Sequence, residues 1–150
     1  MASIQKEQQK RAIQKSASSF GTGAFARARG SLALPAQGRI TQNFGDTTGA
    51  SQSHAKGMVI ATRPGAQVVA PFDGTVLFAG PFQNYGQLII MDHGDNYLTV
   101  LSGMDTITTM VGSQLLTGEP IGRMGMDYTK LYIEIRQNAQ AVNPRPWFIN

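Results

Sequence analysis

The most regular hydrophobic pattern in the chain is "KLYIEIR". Leu131, Ile133 and Ile135 alternate with Lys130, Tyr132, Glu134 and Arg136. Successive side chains of a strand point to opposite faces, so the three aliphatics can bury while the charged and phenolic row faces outward. That outward row is either a solvated surface or the wall of a site. Other short apolar runs have the same character. "RITQNFG" alternates and stops at a glycine, and "KGMVIAT" is a brief apolar run. "YGQLIIMDHGDNYLTVLSGM" reads as two strands joined through residues 93–96. "RPGAQVVAPFDGTVLFAGPF" carries Pro-Gly and Asp73-Gly74 between apolar flanks, a hairpin signal. "VGSQLLTGEPIGRMG" is a turn-rich connection. After it, "RQNAQAVNPRPWF" leads the last strand into a tail anchored by Trp147 and Phe148. Strands this short and closely spaced predict a mainly β, compact antiparallel domain.

The first fifth of the chain differs. Residues 3–19 are helix formers without Gly or Pro, but their apolar positions are only Ile4, Ala12, Ile13 and Ala17. Such a polar helix belongs to something longer, such as the end of a coiled coil. Residues 20–33, rich in Gly, Ala, Ser and Arg, read as a linker, and the domain is expected over 34–150.

Charge sharpens this division. The net +4 is a property of the N-terminal segment. Residues 1–30 hold six basic residues against Glu7, and the rest holds seven basic and eight acidic residues. The body therefore lacks the basic stripe that nucleic-acid binding needs, and no nucleic-acid partner is expected. No apolar run reaches the ~20 residues of a membrane span, and no apolar region follows the N-terminal basic residues as in a signal peptide. The chain has no cysteine, which excludes disulfides and cysteine-ligated zinc. Of the two histidines, His93 lies in "DHGDN", read as a polar turn, and His54 lies in a loop.

From about Leu34 to Phe148 the chain resembles the LytM-type (lysostaphin-like) zinc metallopeptidase domain. The resemblance rests on "LPAQGRITQNFG", "KGMVIAT", "GAQVVAPFDGTVLFAG", "YGQLIIMDHGDNYLTVLSGM", "VGSQLLTGEPIG" and "LYIEIR…VNPRPW", in that order. In active members of that family a His-x-Gly-x-Asp motif and a late His-x-His pair hold zinc and the catalytic histidine, and another histidine follows the central hairpin. Here those positions are Ala55 and Val59, Lys130 and Tyr132, and Gly103, with His54 one place too early. Catalytic zinc needs three protein donors around an open position. Ala and Val offer none. Tyr and Lys would first have to lose protons held with reference pKa values of about 10 and 10.4. The resemblance thus implies a groove without a metal centre, without a cofactor and without peptidase activity.

Within the family, "KGMVI", "LYIEIR" and "AVNPRPW" are most similar to the EnvC-like murein hydrolase activators. That resemblance implies a periplasmic division protein whose domain binds zinc-dependent N-acetylmuramyl-L-alanine amidases and relieves their autoinhibition. A preceding coiled coil would answer to an ABC-type membrane complex. The present chain would then be a fragment. The expected groove residues are Lys56, Val59, Tyr85, Leu88, Lys130, Tyr132 and Arg136. Three alternatives stand beside this: a non-catalytic peptidoglycan-binding module, a residual metallopeptidase using His54 or His93, and a biotinyl- or lipoyl-carrier fold. The last would need a lysine at an exposed hairpin tip.

Overall fold

The apolar runs become strands at the places the alternation marks. A computed structural model describes residues 23–48 and 53–149; the polar helix expected over 3–19 lies outside them. Among these residues a four-residue helical turn, α1 (Ala24–Arg27), comes first. Thirteen strands follow: β1 (Gly38–Gln42), β2 (Thr47–Thr48), β3 (Ser53–His54), β4 (Met58–Thr62), β5 (Gln67–Val69), β6 (Gly74–Pro81), β7 (Gln87–Asp92), β8 (Tyr97–Met104), β9 (Thr106–Ile107), β10 (Gln114–Leu115), β11 (Pro120–Arg123), β12 (Lys130–Gln137) and β13 (Gln140–Val142). The fold is mainly β and antiparallel, as the sequence predicts.

The main sheet has the order β1-β4-β12-β8-β7-β6-β10, with β13 added to β12. A three-stranded sheet, β5-β11-β9, and the β2-β3 pair complete the architecture. β12 lies between β4 and β8, in the interior of the main sheet. Its Leu131, Ile133 and Ile135 are fully buried and share one core with Val68 and Ile121 of the smaller sheet. Full burial of an aliphatic side chain contributes roughly 1.5–3 kcal/mol. A slip of one residue would expose all three and bury the Lys-Tyr-Glu-Arg row, so the register is firmly set.

Two sequence readings are corrected here. Asp73-Gly74 does not close a hairpin: β5 pairs with β11, while β6 pairs with β7 and β10. The Asp73 carboxylate instead accepts hydrogen bonds from the Thr117 amide (2.8 Å) and hydroxyl (2.9 Å). Gly74 is required by close packing, since a β-carbon there would lie 2.8 Å from His93 Nδ1. The expected linker, 20–33, is described from Gly23 onward. Over its described part it packs on the domain through Phe25, which is fully buried. Phe25 stacks on His93 at 4.8 Å and on Trp147 at 5.5 Å, and its carbonyl accepts a hydrogen bond from Trp147 Nε1 (3.0 Å). Leu32 then bridges to Phe148 in parallel. A stretch with few large apolar side chains is held by one aromatic ring inserted among four others.

His93 is likewise no surface turn residue. The turn itself is made by Gly94, Asp95 and Asn96, all at positive φ. His93 sits at its base, fully buried. A carbonyl can only accept, so Nδ1 donates to the Asp73 carbonyl (2.8 Å) and Nε2 accepts from the Thr99 hydroxyl (2.8 Å). Burial pushes the imidazole down to about 4, against the Asp73 carbonyl and the Asp92 and Asp73 charges.

Candidate functional site

The outer face of the main sheet forms a groove centred on Tyr132. Register places Val59 of β4 and Ser102 of β8 on either side of it, and Leu88 of β7 beyond Ser102. The next row, Glu134–Val100–Ile90, is followed by Arg136–Leu98. Strand alternation therefore builds a floor of Leu88, Ile90, Leu98 and Val100 with a polar ridge along β12.

Two cavities meet at Tyr132. The larger, of about 840 Å³, covers this floor and is rimmed by His54, Lys56, Phe82 and Tyr85. The smaller, of about 580 Å³, lies on the other side, against Val59, Gly103, Asp105, Asp127 and Tyr128. Tyr85, Ser102 and Tyr132 line both. Tyr85 ends a 3₁₀ turn, Gln83–Tyr85, that carries Phe82 and Tyr85 out over the sheet with rings 6.0 Å apart.

Tyr132 is fixed from below and from the side. Gly57 leaves the space its ring occupies: a β-carbon there would be 2.9 Å from the phenol oxygen. Burial, then the Glu134 carboxylate and its hydrogen bond, push the phenol well above the usual tyrosine range, with Arg136 acting in the opposite sense. Glu134 in turn accepts from Arg136 Nη1 at 3.0 Å, and Arg136 Nη2 donates to the Ala139 carbonyl at 2.7 Å. The Glu134 side chain is only 14% exposed, so this pair is partly desolvated and its geometry is held.

Six of the seven expected groove residues, Lys56, Val59, Tyr85, Leu88, Tyr132 and Arg136, line one or both cavities. Lys130 does not: it is exposed at the start of β12 and lines neither. The sequence reading passed over Ile90, Leu98, Val100, Ser102 and Glu134. Alternation in "QLIIMD" and "YLTVLSGM" marks their faces, but only the pairing of β7, β8 and β12 brings those faces beside Tyr132.

A model of Peptidase family M23 matches residues 53–144, the span that carries this sheet. The chain belongs to Peptidase family M23. Among relatives of this M23 domain, the murein hydrolase activator EnvC of Escherichia coli (strain K12) is 34% identical over 130 residues, covering 84% of this chain and 31% of EnvC. The murein hydrolase activator NlpD of Salmonella dublin is 37% identical over 114 residues, covering 73% and 29%. The chain thus spans about a third of the length of these relatives. Among solved structures, Helicobacter pylori Csd3 superposes with a TM-score of 0.70 at 23% identity, covering 79% of this chain and 35% of that one.

The groove residues of this M23 domain do not fit a catalytic zinc. Among the described residues no three His, Cys, Asp or Glu side chains come together to hold a metal. His54 directs Nδ1 to the Gly45 carbonyl at 3.0 Å, and His93 is enclosed in the core. Burial and Glu134 raise the Tyr132 phenol above the usual tyrosine range, which disfavours an anionic oxygen there.

Proposed function

We propose that this M23 domain is a non-catalytic activator of periplasmic N-acetylmuramyl-L-alanine amidases. It binds the amidase through the Tyr132 groove and relieves the amidase's autoinhibition as the cell wall is split at division. One observation carries the reading. A continuous groove has an apolar floor and a fixed Tyr132–Glu134–Arg136 ridge, and offers no three-donor metal site among the described residues. Two relatives are named murein hydrolase activators, which supports the same role.

The chemistry suits an amphipathic segment laid in a groove. Leu88, Ile90, Leu98 and Val100 take its apolar side, Tyr132 and Tyr85 offer flat surface with a polar tip, and Lys56 and Arg136 meet carboxylates at its border. A micromolar complex needs about 8 kcal/mol, which a few central anchors of ~2 kcal/mol each nearly reach. A coiled coil ahead of the domain would connect this activity to an ABC-type division complex.

The test is release of dye from labelled sacculi by purified amidase, with and without this domain. Stimulation by wild type that is lost on Tyr132→Ala or Lys56→Glu, in proteins with unchanged circular dichroism, supports the reading. Full stimulation by both variants removes the groove from it. Retention of the domain on sacculi without amidase, abolished by the same variants, would replace it with peptidoglycan binding.

A further inference from the structure

The two cavities that meet at Tyr132 carry opposite charge. On the β12 C-terminal side stand Lys56 and Arg136, the latter shared with Glu134. On the other side stand Asp105, just past the end of β8, and Asp127, in the connection from β11 to β12. No ion pair of either aspartate is found among the described residues. Asp105 accepts only a long hydrogen bond from the neighbouring Thr106 hydroxyl (3.3 Å). Lys130 shares the β12 face but lines neither cavity, so it does not neutralise the pocket from within.

The acidic side is lined closely by backbone and aromatic rings. Gly103 and Gly125 give it bare backbone: a β-carbon at Gly125 would lie 3.3 Å from Asp105 Cβ, and one at Gly103 would lie 3.3 Å from the Tyr128 ring. Tyr85, Tyr128 and Tyr132 surround the space with three phenol rings. Two unpaired carboxylates among aromatic faces recognise a guanidinium or ammonium group, by charge-assisted hydrogen bonds and by contact of the cation with ring faces.

We infer that the groove reads its partner in one direction. The amidase segment it takes places an arginine or lysine in the Asp105–Asp127 pocket and carboxylates over Lys56 and Arg136. This rests on the activator reading for the identity of the partner, but not for the chemistry of the pocket. From Tyr132 to Arg136 is four residues of strand, about 13 Å at ~3.3 Å each. The two charges of the segment are therefore separated by roughly that span. A segment laid the other way would set its cation against Lys56 and Arg136 and its carboxylates against the two aspartates.

The experiment needs no amidase. The ¹⁵N-labelled domain is titrated with N-acetyl-arginine amide, N-acetyl-norleucine amide and N-acetyl-glutamate amide, followed by amide shifts. The arginine compound should move Gly103, Gly125 and Asp127, and the glutamate compound should move Lys56 and Arg136. Asp105→Asn with Asp127→Asn should weaken the arginine compound about tenfold, the size expected for losing charged hydrogen-bond acceptors. Equal shifts from norleucine, no shifts from arginine, or unaltered arginine binding in the double variant would each overturn the inference. Amidase stimulation separates the two proposals. If the double variant stimulates as wild type while Tyr132→Ala does not, the direction falls and the activator reading survives. A several-fold drop in the double variant supports the direction.

Discussion

The Tyr132 ring lies over Gly57, so close that a β-carbon on the glycine would be 2.9 Å from the phenol oxygen. The carbonyl of Ile133 closes the same space from the backbone side. The centre of the groove is therefore set by a side chain that is missing as much as by one that is present. Gly57→Ala should destabilise the domain by about 1–3 kcal/mol, the usual cost of overpacking, and move Tyr132 out of place. Urea denaturation measures the first effect. Loss of amidase stimulation exceeding the loss of folded protein measures the second.

Tyr132 and Glu134 make a second prediction. The phenol is held above its ordinary range by burial and by Glu134, so the folded state keeps a proton that the unfolded chain releases near pH 10. The unfolded state then binds fewer protons, and stability falls as pH rises above about 10. Titration of native protein at 295 nm to pH 11 should show the same phenolate signal in wild type and in Tyr132→Phe. A larger signal in wild type would mean that Tyr132 ionises with the others.

His93 works in the opposite direction. The folded protein holds it neutral down to about pH 4, while the unfolded chain takes up a proton below about 6.5. Stability should be flat above pH 7 and decline between 6.5 and 4, by about 3 kcal/mol in all. Denaturation midpoints across that range give the slope. In His93→Gln the baseline is lower, and the slope between pH 6.5 and 4.5 should largely vanish. An unchanged slope would place its origin elsewhere.

Phe25 tests how firmly the segment before the domain is held. Phe25→Ala should cost about 3–5 kcal/mol, since a fully buried aromatic is removed from between His93 and Trp147. Trp147 is the single tryptophan of the chain, so its fluorescence should shift with the same variant. A chain starting at Leu34 should be destabilised at least as much.

The candidate site was partly legible in the residues alone. Alternation in "KLYIEIR" assigns Tyr132 and Arg136 to the outer face, because strand side chains alternate whatever the neighbours. Spacing within "KGMVI" places Lys56 and Val59 in the same region once the resemblance is granted. Lys130 shows the limit. It belongs to the right face by period, yet stands at the strand's end outside both cavities. Glu134, given no role by pattern, turns out to join Tyr132 to Arg136.

By itself the sequence determined what is local. It set the short alternating strands, the buried stripe Leu131–Ile133–Ile135 and the turn at 94–96. Tertiary structure alone decided the rest. It put Phe25 among the aromatics, took His93 into the core, sent Asp73-Gly74 between two sheets, and divided the groove at Tyr132 into a basic and an acidic half. Periodicity follows from the geometry of one chain segment. Which segments become neighbours follows from burying apolar surface over the whole molecule, and that sum is not written in any one stretch.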